Sequence, residues 1–235
     1  MNRADKRNAL DDEIVSEIKE ALKAAADGRV RVVLIDAAGK DFCSGMDLSV
    51  LRKSRDSSVM ENLAGIRSMA ELFVAMRRHR HPIVAAVRGR ALAGGCGLAT
   101  ASDIVLAAES AQFGYPEVGI GFVPAMVMAI LRRSVSERQA FELITTGEIV
   151  TAAQAEKMGL INRVYADERF DADVDGYVTA LAAKSSSAVS LSKHLLYHMD
   201  AMGFEAAIDA GVQVNAIART TEDCKRGVER FLNKA

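Results

Sequence analysis

An α/β fold with parallel strands is predicted by two features of the first 130 or so residues, and a third feature extends the prediction. Short runs rich in β-branched residues, at 30–35, 83–87 and 104–108, alternate with stretches of helical apolar spacing. Glycines crowd the junction between the second run and the helix behind it, at Gly89, Gly94, Gly95 and Gly97. Beyond Pro124 the periodicity turns almost wholly helical.

In chain order, Asp11, Asp12 and Glu13 place negative charge at a helix start, and Ile14, Val15, Ile18 and Leu22 supply its apolar face as far as residue 26. Asp27 and Gly28 turn the chain into the strand at 30–35. Residues 53–59 are polar and serine-rich and read as a mobile loop. A helix follows, with Leu63, Ile66, Leu72, Phe73 and Met76 on one side. Pro82 precedes the apolar run 83–87, where a missing N–H does least harm, so the run reads as a buried strand. Gly89 ends it, and a helix runs from about 94 through Ser102. After the strand at 104–108, Ser136 with Gln139 and Thr151 with Gln154 form capping boxes, and Gly147 and Gly159 stand where helices end. A last strand is expected at 160–164. Helices then carry Leu191, Leu195 and Leu196, next Ala206, Ile208 and Val212, and finally Val228, Phe231 and Leu232. No internal repeat is visible.

Composition narrows the function classes. With 235 residues the chain supports one substantial core, and 50% hydrophobic with 26% charged residues is ordinary for a globular protein. A net charge of −1 offers no electrostatic footprint for nucleic acid or an anionic membrane. No apolar run approaches the roughly 20 residues that span a bilayer. Arg3, Asp5, Lys6 and Arg7 at the front, with no apolar stretch behind them, do not form a secretory signal. Cys43, Cys96 and Cys224 lack metal-type spacing and suit a reducing cytoplasm, where buried thiols act as small hydrophobes. His194 and His198 have zinc-type i, i+4 spacing but no third ligand, so they read as a solvated helix face and no metal is assigned.

The glycine-rich turn is the chemical centre of the sequence. A phosphate-cradling loop would need Gly-Lys-Ser/Thr where Gly94-Gly95-Cys96 stands, and a dinucleotide fingerprint would need glycine at Thr100. What remains is a helix start with free N–H groups, or a tight packing turn. Three further blocks accompany it: residues 2–10 (Asn-Arg-Ala-Asp-Lys-Arg-Asn-Ala-Leu), 41–48 (Asp-Phe-Cys-Ser-Gly-Met-Asp-Leu) and 111–118 (Ala-Gln-Phe-Gly-Tyr-Pro-Glu-Val). In this order the four blocks resemble the crotonase family of enoyl-CoA hydratases and isomerases, and the resemblance covers about residues 2–233.

The resemblance implies a spiral core of β-β-α turns over residues 1–135 and a C-terminal helical region, 136–235, that trimerises and completes the CoA site. Family members usually have another strand or two before the first block, so one sheet edge is expected to be incomplete. The backbone N–H groups of Met46 and Gly94 would form an oxyanion hole for the thioester, with the Met46 side chain narrowing the acyl pocket. Glu117 would be the acid/base, and Val118, Ile120, Phe122 and Val123 around it would raise its pKa. Lys6, Arg7 and Ala9 match the block that brackets the pantetheine and phosphates, and Ser44, Asp47 and Leu48 the block near the adenine and thioester. Lys225 and Lys234 are loose candidates for a further CoA contact. Hydratases of the family typically place a second glutamate where Gly97 stands. That glycine is expected to leave room for a bulky acyl group or a water, so that Gly97→Glu would gain hydration.

The implied activity is oxyanion-stabilised enolate formation on an acyl-CoA. Hydration of a 2-enoyl-CoA and isomerisation of a 3-enoyl-CoA both stay open, and Gly97 points toward a single-glutamate reaction. A dienoyl-CoA isomerase would need further acids, where Gly97 and Ala125 stand. A non-catalytic acyl-CoA binding or scaffold protein is the rival, and Glu117 counts against it. No cofactor is expected, since CoA belongs to the substrate. The expected setting is a cytoplasmic homotrimer or homohexamer.

Overall fold

The computed structural model describes residues 1–233. Asp11 accepts the N–H of Ile14 and opens α1 (Asp12–Ala24), which buries Ile14, Val15 and Leu22. The first strand, β1 (Val33–Ile35), is shorter than its apolar run. The loop expected at 53–59 shrinks to residues 56–58. Asp47 caps α2 (Leu48–Arg55), and a Ser58–Glu61 capping box starts α3 (Val59–Arg78). Polarity in 52–55 belongs to an exposed helix, which a hydrophobic pattern does not register.

Next come β2 (Ile83–Val87), β3 (Arg90–Leu92), α4 (Gly94–Thr100), β4 (Ile104–Ala108) and β5 (Gln112–Gly114). A 3-10 helix, Pro116–Ile120, leads to α5 (Ala125–Ser134) and α6 (Glu137–Thr146). Then follow β6 (Ile149–Thr151), α7 (Ala152–Lys157) and β7 (Arg163–Tyr165). Four helices complete the described chain: α8 (Phe170–Ala182), α9 (Ser186–His198), α10 (Phe204–Thr220) and α11 (Glu222–Leu232). Both predicted capping boxes form, and Gly147 and Gly159 take positive φ at helix ends.

The strands make two sheets. One is parallel, in the order β1-β2-β4-β7. The other runs β3-β5-β6, with β3 parallel and β6 antiparallel to β5. Between β2 and β3 the chain steps from one sheet to the other at Gly89 (φ +58), where a Cβ would lie 1.8 Å from the Lys40 carbonyl oxygen. The step recurs: β1 leads to Cys43, which bridges Ala91 of the second sheet, and then to α2. β2-β3-α4 and β4-β5 with its 3-10 turn repeat the pattern, which makes the spiral of β-β-α turns. Because β6 and β7 complete the two sheets, the core reaches Tyr165, and the predicted boundary at 135/136 falls inside it.

The main core lies between the sheets and helices α1, α3, α4 and α5, and a smaller one packs α8 on β2 and β4 through Val84, Leu106, Phe170 and Val174. Among the described residues no helix is long and apolar enough to cross a membrane.

Candidate active site

Three chain segments meet at a cavity of about 330 Å³ walled by α2, α3, α5 and the 3-10 turn. The first segment, the loop before α2, is held by the N-terminal block. Leu10 donates its N–H to Gly45 (2.7 Å), Asp47 donates to Leu10 (2.9 Å), and Ser44 donates to Arg7 (3.1 Å). On its other side Asp41, almost fully buried, accepts a forked pair of bonds from Arg90 (2.9 and 2.8 Å), which holds that carboxyl below the usual carboxylate range.

This bonding pattern skips Met46. Among the described residues neither the Met46 N–H nor the Gly94 N–H, at the first position of α4, donates to any acceptor. Gly45 brings the two together. Its φ is +100°, and a Cβ there would lie 2.9 Å from Ala93 Cβ and 3.7 Å from the Gly94 nitrogen. Ala93 donates to Gly114 (2.8 Å) and is held at φ 52° and ψ −127°, a region an L-residue rarely adopts.

The third segment carries Glu117. Tyr115, fully buried beside Thr100, anchors the end of β5, and Pro116 then starts the 3-10 turn that presents the carboxylate. Glu117 Oε2 is buried without a hydrogen-bond partner, and burial raises the carboxyl pKa above its ordinary value. Ile120, Phe122 and Val123 line the cavity with it, whereas Val118 packs toward Gly147. Among the described residues Ser44 and Glu117 supply the only side-chain oxygens or nitrogens on the cavity wall, so Glu117 is the single ionisable group among them.

Met46, Gly94, Glu117, Ser44 and Leu48 thus come together at the cavity. The other predicted residues stand apart from it. Lys6 and Arg7 are exposed on a turn, where Arg7 contributes its carbonyl to the Ser44 loop, and Ala9 is buried. The Asp47 carboxylate caps α2 through Ser49 and pairs with Arg3 at 3.0 Å. Lys225 is exposed and pairs with Glu222, while Lys234 lies outside the described residues.

The room expected beside Gly97 is not there. A Cβ at Gly97 would lie 2.2 Å from Val127 Cγ1 and 3.5 Å from Phe73 Cζ, and Gly97 does not reach the cavity surface. Gly97→Glu has no space for its carboxylate, so the expected gain of hydration is withdrawn. Phe73 was named only as part of an apolar helix face, and Val127, Met69 and Met126, which line the cavity with it, carry no sequence signal beyond being apolar. The Arg90–Asp41 fork also carries no sequence signal, since its partners are 49 residues apart.

Cys43 and Cys96 are buried, and burial pushes both thiols up to about 12, so neither is a ready nucleophile. His194 and His198 stack on each other along α9, and no cluster of three metal-type side chains occurs among the described residues.

Comparison with known proteins gives a consistent family. The enoyl-CoA hydratase/isomerase family model matches residues 1–235. A Thermus thermophilus protein bearing an enoyl-CoA hydratase name is 36% identical over 100% of this chain and 93% of its own length. The crotonyl-CoA hydratase of Syntrophomonas wolfei is 32% identical over 100% of this chain and 90% of its own. The crystal structure of an enoyl-CoA hydratase from Mycobacterium smegmatis superimposes with a TM-score of 0.94 at 31% identity, covering 99% of this chain and 90% of that one.

Proposed function

This chain belongs to the enoyl-CoA hydratase/isomerase family, and we propose that it moves the double bond of an enoyl-CoA thioester from C3–C4 to C2–C3 with Glu117 as sole proton carrier. The observation that carries this reading is the buried, unpartnered Glu117 Oε2 in a cavity with no other ionisable side chain among the described residues. In the ionised form Glu117 takes a proton from C2, and the electron pair passes to the thioester oxygen. That oxygen accepts hydrogen bonds from Met46 and Gly94, preorganised donors of a kind worth about 3–4 kcal/mol each in other enzymes. Glu117, now protonated, returns the proton to C4 as the double bond forms between C2 and C3. A base with a raised pKa suits both halves of this transfer. Lys6 and Arg7, exposed beside the Ser44 loop, are proposed to meet the CoA phosphates, and no cofactor is required.

Hydration of a 2-enoyl-CoA is the second reading, favoured by the hydratase names of the relatives. It asks one residue set to activate water and to protonate carbon, and Val127 stands where a second acid would enter from Gly97. The test is a paired assay on wild type: conversion of a 3-enoyl-CoA against loss of the crotonyl-CoA thioester absorbance. Isomerisation is expected to dominate, and faster hydration would replace this reading with the second. Thioester binding without turnover in either assay would mark a scaffold.

A homotrimer or a hexamer is proposed from the apolar residues left exposed on α10 and α11, among them Phe204, Val212, Phe231 and Leu232. Light scattering on the purified protein tests it, and a monomer at micromolar concentration would exclude it.

A further inference from the structure

We propose that Val127 sets the acyl specificity of the cavity and restricts it to linear hydrocarbon chains, an inference that rests on the thioester reading above. Two observations carry it. The first is chemical. Apart from Ser44 and Glu117 the described residues of the cavity wall carry no side-chain oxygen or nitrogen, so a carboxylate, hydroxyl or amide on the acyl chain would be buried unpaired.

The second is steric. Gly97 follows Gly94 by three residues on α4, which puts it about 4.5 Å further along the helix axis. The space a side chain at 97 would fill is already taken by Val127 Cγ1, and Phe73 Cζ lies 3.5 Å from the same point. Val127 is 4% exposed and lines the cavity, so it forms the wall within one helical turn of the thioester-oxygen donor. Substituents on the carbons nearest the thioester meet this wall. A β-branched side chain has little rotamer freedom with which to yield. Elsewhere the lining includes Met46, Met69 and Met126, whose unbranched thioethers adapt to different occupants. Chain length is therefore accommodated, and branching near the thioester is not.

The experiment compares linear and 2-methyl-branched 3-enoyl-CoA substrates on wild type, Val127→Ala and Val127→Thr, reading the branched-to-linear ratio of kcat/KM. The same ratio is read in Kd by calorimetry with the corresponding saturated acyl-CoAs. Val127→Ala removes two methyl groups from the wall and should raise both ratios roughly tenfold or more, the scale of discrimination a methyl group supplies in an apolar pocket. Val127→Thr keeps the shape and should leave the ratios within about threefold of wild type. Unmoved ratios in a Val127→Ala protein that binds the linear thioester overturn the proposal. Should that variant not fold, Val127→Ile, which adds to the wall, must lower the ratios, and failure to do so overturns it equally. Absence of binding by any acyl-CoA to wild type refutes the thioester reading itself, whereas binding with unmoved ratios refutes only the role of Val127.

Discussion

Replacing Gly97 by alanine sets two effects against each other, and their magnitudes decide the sign. Within a helix alanine is favoured over glycine by about 1 kcal/mol. Against this, the added carbon would stand 2.2 Å from Val127 Cγ1 and 3.2 Å from Val127 Cβ. Valine cannot swing away cheaply, and it is buried between α4 and α5. Overpacking of a core costs about 1–3 kcal/mol, and so deep an overlap belongs at the upper end. The net expectation is a loss of about 2 kcal/mol, or roughly 4–8 °C in Tm for a chain of this size. Thermal and denaturant unfolding at one fixed protein concentration measure it, since self-association would shift apparent stability. Val127→Ala supplies the control. By itself it should cost roughly 2–3 kcal/mol through lost burial and a cavity. In its background Gly97→Ala should become neutral or stabilise by up to about 1 kcal/mol, because the overlap with Cγ1 has gone and only the 3.2 Å approach to the residue-127 Cβ remains. The coupling in this double-mutant cycle is then about 2–3 kcal/mol. A rise in Tm for Gly97→Ala alone, or the same cost in both backgrounds, would refute the packing argument.

Three further outcomes are expected. Glu117→Gln should bind acyl-CoA yet lose turnover by about 10²–10⁴-fold, and unchanged turnover would remove Glu117 from the chemistry. Its raised pKa means that folding takes up a proton between the ordinary carboxylate value and the higher folded one. Wild-type stability therefore falls as pH rises through that window, Glu117→Gln escapes the fall and unfolds at higher temperature at pH 7, and kcat/KM of wild type drops on acidification above the usual carboxylate range. Ala93→Gly should relieve the positive φ at the turn before α4 and raise Tm by roughly 2–4 °C, from about 1 kcal/mol of strain; a lowered Tm in calorimetry would contradict this. Lys193→Met removes a buried ammonium that donates to Asp103 (2.7 Å) and to the carbonyls of Met76 and His81 (3.1 Å each). Asp103 keeps the Ile83 N–H and the Tyr197 hydroxyl (2.6 Å each). Losing its ammonium should therefore cost about 3 kcal/mol, the lower end for a broken buried pair, and a melting curve within about 2 °C of wild type would show that the network is not coupled to global stability.

What the sequence by itself determined is the chemistry that acts within a few residues. Asp11, Ser136 and Thr151 cap helices by bonding N–H groups three positions on, and Gly147 and Gly159 end them by tolerating positive φ. The strands β2 and β4 are continuous apolar runs, legible because both of their faces are buried. Met46, Gly94 and Glu117 became candidates only through the resemblance of their blocks to the crotonase family. The three-residue strands β3, β5 and β6 were not legible, since so short a segment shows no period and exists by pairing with partners distant in the chain. Only the tertiary structure decided that Glu117 Oε2 is buried without a partner, and that Gly45 presses the Met46 loop against Ala93. Gly97 marks the boundary between the two kinds of knowledge. A glycine in a sequence declares a missing side chain, but whether the space is empty depends on what packs there. Here it is filled by Val127, thirty positions on, because α5 lies across α4.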